Sequence, residues 1–187
     1  MERHRCSYEQ ALRETRLLET LADFDPHIAG TPPLGLDVPE SDIDILCQMP
    51  DPLLFAAQIW ARLSACDTFS MHQWTGGRRT IVASFRSHDW LFGIFGDRRA
   101  VAEQEGWRHF VVEQRLLRLG GQMLKESIMR LRYSGMKTEP AFAAALGLEG
   151  DPYEQMLRLF DETDDQLKAR LLRTRRHPHR GRGRARR

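Results

Sequence analysis

Apolar positions along the chain change period four times. Tyr8, Ala11, Leu12, Leu18 and Leu21 recur at helical spacing, and Ser7 with Gln10 three residues later forms a capping-box signature, so a first helix is expected to about residue 23. A short strand at residues 27–29 leads into GTPPLG, whose prolines and glycines demand a turn. In SDIDILCQM, Ile43 and Ile45 alternate with Asp42 and Asp44 at strand period. Asp51-Pro52 sets an N-cap and a first-turn proline for a helix that continues through Leu53, Leu54, Ala57, Ile59, Trp60 and Leu63 to about residue 65.

The period then shortens again. FSMHQW, TIVASF and WLFGIF read as strands, with turn signals at Gly76-Gly77 and at residues 87–89. Two or three antiparallel strands joined to the first two are therefore expected. From Asp97 the pattern is helical. Trp107, Phe110, Val111, Leu116 and Leu117 mark one helix closed by Gly120-Gly121; residues 123–133 mark another, with Gly135 as its C-cap. A short helix starts at Thr138 or Glu139 and runs through Phe142 and Leu146, Asp151-Pro152 opens the next, and a charged helix spans about residues 162–172. The expected fold class is α+β: a mixed-sheet unit at residues 1–96, then a helical half at 97–172.

Charge separates one further segment. Lys and Arg number 28 against 26 Asp and Glu, yet eight of the Arg fall in RTRRHPHRGRGRARR from Arg173 onward, where there is no acid. Residues 1–172 thus keep 20 basic residues against 26 acidic, a charge of −6. Residues 173–187 have nothing apolar to bury and are expected to form a disordered tail. Such a tail attracts phosphate backbones, giving a nucleic-acid partner, or is simply a solvated terminus. Cys6, Cys47 and Cys66 show no metal-ligand spacing, which points to free thiols in a reducing compartment. With no signal-like or membrane-length apolar run, a cytoplasmic protein with no membrane partner is expected.

Candidate chemistry concentrates in Gly30-Thr31, ten residues, then Asp42-Ile43-Asp44. Acid-x-acid spacing alone carries nothing, since Asp23/Asp25 and Glu103/Glu105 also have it. On a strand, however, i and i+2 side chains share a face, with Cα atoms roughly 6.5 Å apart. Two carboxylates held that close repel unless a cation lies between them, and hard oxygen ligands suit Mg²⁺ with water and substrate phosphates. The glycine turn lets backbone N–H groups approach a phosphate, and the Thr31 hydroxyl can add a hydrogen bond. The alternative is a pair of solvated strand acids beside an ordinary Gly-Thr turn.

This arrangement resembles the nucleotidyltransferase superfamily, whose signature is a small-residue turn followed about ten residues later by Asp-hydrophobic-Asp-hydrophobic. Gly30, Thr31, Asp42 and Asp44 occupy those places, with Thr where Ser is usual. GTPPLGLDVPESDIDI, HFVVE and GMKTEPAFAAALGLEGDPY further resemble an uncharacterised bacterial nucleotidyltransferase-like family, described as a domain of unknown function, over residues 29–159. The superfamily resemblance implies that Asp42 and Asp44 bind Mg²⁺ against a nucleoside triphosphate and serve as catalytic carboxylates in transfer of a nucleoside monophosphate to an acceptor. It also implies a third carboxylate from the later strand WLFGIF, and that position is Gly93. Asp89 and Asp97 lie near the ends of that strand as substitutes, and a Glu at position 93 is expected to restore a ligand. Loss of the third acid leaves a second reading: a degenerate member that binds nucleotide, nucleic acid or a protein partner without turnover.

Other residues have two readings each. Ser41 caps its turn or lends a hydroxyl to the nucleotide. Lys137, between two helices, offers a point charge to a triphosphate or is an exposed residue before an N-cap. His109 and Glu113, four apart, share a helical face as an ordinary pair or as an acid–base couple. Arg78 and Arg79 flank the hairpin turn and are expected to be solvated.

Overall fold

Alternation around the two aspartates becomes a central strand because each Ile points into a core. A computed structural model describes residues 5–74 and 80–176 of the chain. In it β1 (His27–Ala29), β2 (Ile43–Gln48), β3 (Asp67–Gln73), β4 (Ile81–Ser87) and β5 (Trp90–Asp97) form a mixed sheet in the order β1-β2-β5-β4-β3. β2 and β5 are parallel neighbours at the centre; the other pairings are antiparallel. The three later strands are therefore an antiparallel unit joined to the first two, as the pattern predicts. His88 and Asp89, both at positive φ (54° and 59°), make the tight turn between β4 and β5. The Gly76-Gly77 turn, with Arg78 and Arg79, lies outside the described residues.

One sheet face carries Ile43, Ile45, Ala83, Phe85, Phe92 and Ile94, all buried. Against it pack α1 (Tyr8–Thr15), α2 (Leu17–Thr20) and α3 (Pro52–Leu63) through Ala11, Leu12, Leu17, Leu21, Phe55 and Ile59. α3 starts as its sequence requires: the Asp51 carboxylate accepts from the backbone N–H of Leu53 at 2.9 Å and Leu54 at 3.2 Å. The first helix differs from expectation. Only half of its capping box forms, because the Gln10 amide donates to Glu14 at 2.8 Å instead of reaching back to Ser7. The helix also breaks at Arg16, which is left-handed (φ 51°). On an unbroken helix, the five-residue step from Leu12 to Leu17 turns the side chain by about 140°. The break lets Leu17 and Leu21 join the same core as Ala11 and Leu12.

The described residues divide into two compact units, one ending at Phe110 and one beginning at Val111, so the border falls inside α4 (Glu105–Tyr133). The first turns of α4 belong with the sheet. The Gln104 side chain just before it donates to the Cys47 carbonyl at 3.0 Å, and Trp107 meets His27 edge-on at 4.9 Å. α4 kinks at Gly121 (φ 64°) without an intervening loop, where two separate helices were expected.

The second unit adds α5 (Thr138–Leu146), α6 (Pro152–Phe160) and α7 (Asp164–Arg176). Arg115 holds the turn before α7 by donating to the Phe160 carbonyl at 2.9 Å and to Asp164 at 3.0 Å. α7 runs through Arg176, so the first four residues of the expected disordered tail are helical. Buried Leu167 and Leu171 anchor this helix, and Thr174 donates to the Leu146 carbonyl at 3.2 Å. The rest of the tail lies outside the described residues. None of the described helices is long and apolar enough to cross a membrane.

Candidate active site

Because Ile43 and Ile45 are fully buried on the core side, Asp44 is carried on the opposite face of β2; Asp42, which the sequence pattern places in the strand, lies one residue ahead of it, and both are half-buried. Asp44 lies at the centre of the sheet, in register with Ala29 of β1 and Gly93 of β5. The row continues from Gly93 to Ser84 of β4 and Ser70 of β3, whose hydroxyls are 2.9 Å apart.

Two glycines define the slot that holds the Asp44 carboxylate. A Cβ on Gly30 would stand 2.8 Å from Asp44 Oδ2, and one on Gly93 would stand 2.9 Å from Oδ1 and 3.0 Å from the Phe95 ring. Gly30 has a second reason to be glycine, its φ of +77°. The position expected for a third carboxylate is therefore beside Asp44, as the alignment of strands predicts, but its space holds Asp44's own carboxylate.

The turn after Gly30 is fixed from within. The Thr31 hydroxyl donates to Ser41 Oγ at 3.0 Å, and Ser41 Oγ accepts from the Val38 backbone N–H at 2.9 Å. Both side chains are buried, so in this arrangement they tie the two ends of the loop together. The Thr31 carbonyl accepts from the N–H groups of both Leu34 and Leu36 at 3.1 Å, which curls PPLG into one turn of 3-10 helix.

From outside, the same loop is gripped by Arg5, a residue with no local signal in the sequence. Its guanidinium donates to the carbonyls of Pro39 and Ser41 at 3.0 and 3.1 Å.

In the first unit Gly30 thus lies against Asp44 and Thr31 bonds to Ser41, the residue before Asp42. Lys137 belongs to the second unit, where it is the exposed N-cap of α5 and its carbonyl accepts from Ala141 N–H at 3.0 Å. Neither proposed substitute acid joins the pair. Asp89 and Asp97 each lie four residues from Gly93, about 13 Å along a strand. Asp97 is instead ion-paired with Arg99 at 2.8 Å, and Asp89 is exposed in the β4–β5 turn. Among the described residues there is no group of three or more His, Cys, Asp or Glu placed so as to hold a metal ion. Two aspartates two residues apart supply the hard oxygen donors that suit a single Mg²⁺ keeping its other positions for water and phosphate oxygens. The Cys47 thiol, on the core side of β2, is pushed up to about 12 by burial, with the Asp25 charge adding to it, so it stays a thiol.

The second unit holds one titratable group of note. Glu113 is 4% exposed, and its Oε1 has no hydrogen-bond partner among the described residues. Burial raises its pKa well above the usual carboxylate range; the Glu139 charge adds to that rise, and Arg132 opposes it.

A family model described as a domain of unknown function, DUF4269, matches residues 10–159. No curated protein sequence matches the chain. Among solved structures, that of a cytoplasmic RNA terminal U-transferase superposes with a TM-score of 0.55 at 16% identity, over 74% of this chain and 45% of the other. The GLD-2/RNP-8 complex gives 0.52 at 11% identity, over 89% and 78%. The Cid1 poly(U) polymerase with MgGTP bound gives 0.53 at 16% identity, over 80% and 47%. The chain spans about half the length of the U-transferase and Cid1 chains, at 45% and 47%. These likenesses show an α+β fold of the nucleotidyltransferase polymerase type.

Proposed function

The chain belongs to the DUF4269 family, and for this member we propose Mg²⁺-dependent transfer of a nucleoside monophosphate from a nucleoside triphosphate to an acceptor hydroxyl at Asp42 and Asp44. The observation that supports the reading is the place of Asp44, on a central strand with its carboxylate against the Gly30 turn, with Asp42 just ahead of that strand, in a nucleotidyltransferase-type fold. When bound, Mg²⁺ would neutralise charge on the phosphates and on the departing pyrophosphate. Asp42 and Asp44 would hold it beside the Gly30 turn, which would bring backbone against the phosphates. The acceptor oxygen bonds to the α-phosphorus, the bond from that phosphorus to pyrophosphate breaks, and the hydroxyl proton passes to solvent.

Gly93 favours a second reading, nucleotide binding without turnover, because the position that the resemblance gives to a third carboxylate has no side chain of its own and its space is taken by that of Asp44. The solved neighbours that act on RNA make an RNA 3′ end the first acceptor to try. Incubating the protein with Mg²⁺, each α-labelled nucleoside triphosphate and an RNA oligonucleotide separates the readings. Labelled RNA that disappears in Asp42→Ala supports transfer. Bound nucleotide with no labelled product supports the binding reading.

A further inference from the structure

The segment ahead of α1 is held by one side chain onto the loop that delivers the first aspartate. Arg5 lies with its guanidinium carbon 3.3 Å from the centroid of the Trp90 ring. One terminal nitrogen donates to the carbonyls of Pro39 at 3.0 Å and Ser41 at 3.1 Å. The other donates to the Val38 carbonyl at 3.3 Å and to the Asp37 carboxylate at 3.4 Å. The Arg5 side chain is only 18% exposed, so this grip is shielded from competing water. Trp90 completes the frame: it is 2% exposed, begins β5, and its indole N–H donates to the Cys6 carbonyl at 3.0 Å.

The geometry has a direct bearing on Asp42. The Ser41 carbonyl belongs to the peptide unit whose nitrogen is that of Asp42. Arg5 therefore fixes the plane of that peptide from outside, while the Ser41 hydroxyl fixes the loop from inside through Thr31 and Val38. Asp44 needs no such help, because it lies within β2 and is paired in register on both sides. Asp42 precedes the strand and depends on its loop. A planar fork that stacks on an aromatic face while donating to several carbonyls is an arginine property that lysine does not reproduce.

We propose that Arg5 is a positioning residue of the acid pair, holding the peptide ahead of Asp42 so that its carboxylate stays on the same face as that of Asp44. This rests on reading the pair as a metal–nucleotide site. The test uses the full chain with Arg5→Ala, Arg5→Lys and, as a control, Ser7→Ala, which loosens the neighbouring α1 cap without touching the loop. Mn²⁺ alone is titrated and its free-ion electron paramagnetic resonance signal is followed well below each protein's unfolding temperature. Hydrogen exchange at Val38 and Ser41 is measured in parallel without metal. Arg5→Ala is expected to speed exchange at both amides and weaken Mn²⁺ binding about tenfold, Arg5→Lys to fall between, and Ser7→Ala to keep wild-type affinity. Wild-type affinity in Arg5→Ala, or an equal loss in Ser7→Ala, overturns the proposal. If the wild type binds no Mn²⁺, the reading of the acid pair falls and the positioning role falls with it. Exchange at Ser41 then still reports separately whether the clamp exists.

Discussion

Gly93 of β5 stands directly beside Asp44 of β2, so close that a Cβ on the glycine would come within 2.9 Å of the aspartate's Oδ1. The missing third acid and the position of the second are thus one feature. The sheet has a single place next to Asp44 on that side, and the Asp44 carboxylate occupies it. Gly93→Ala should push that carboxylate out of its slot and weaken Mg²⁺-dependent nucleotide binding about tenfold with little loss of stability. Calorimetric titration of nucleotide against both proteins checks this. A Glu at 93 is expected to act the same way, displacing Asp44 or the Phe95 ring, not to add a ligand.

Gly30 borders the same carboxylate on its other oxygen, at 2.8 Å from a would-be Cβ, and has a φ of +77°. Gly30→Ala therefore meets two penalties. The left-handed backbone alone costs about 1–2 kcal/mol for a residue with a Cβ. Urea denaturation should show at least that loss, and nucleotide binding should fall further than in Gly93→Ala.

Thr31 and Ser41 differ in what their removal leaves behind. Thr31→Val keeps Ser41 Oγ bonded to the Val38 N–H and should cost about 1 kcal/mol. Ser41→Ala leaves both the Thr31 hydroxyl and the Val38 N–H without that acceptor in a buried loop, for about 1–3 kcal/mol. The ordering of the two variants in urea denaturation is the test.

How much of this was legible in the sequence depends on the range of the contact. The alternation of Asp44 with Ile43 and Ile45, and the Asp-Pro helix starts, are local rules and hold as read, whereas Asp42, which the pattern places in the strand, lies just ahead of it. The place of Gly93 beside Asp44 was implied by the superfamily resemblance, but not that Asp44 fills the gap, which is a side-chain orientation. The break at Arg16 comes from the need to aim Leu17 and Leu21 at a core assembled from distant strands. Arg5 was missed because most of its partners are backbone carbonyls more than thirty residues away, and carbonyls carry no residue signature.

Glu113 gives a pH prediction with a definite sign. Its folded pKa is raised, chiefly by burial, so across the window above its unfolded pKa the folded protein binds a proton that the unfolded chain releases. Its contribution to stability is full below the unfolded value and is lost as pH rises toward the folded one. Glu113→Gln should raise Tm by a few degrees at neutral pH and change it little near about pH 4. Melting curves across that range decide it; a gain independent of pH would remove Glu113 as the cause.

The central claim is that Asp42 and Asp44 form a metal–nucleotide site. Thermal unfolding of the wild type and of the Asp42→Ala, Asp44→Ala double variant, with ATP, GTP, CTP or UTP and with or without Mg²⁺, tests it most directly. The account predicts a Mg²⁺-dependent rise in Tm with at least one nucleotide in the wild type, and none in the double variant. Equal stabilisation of both proteins, or none with any nucleotide, would contradict it.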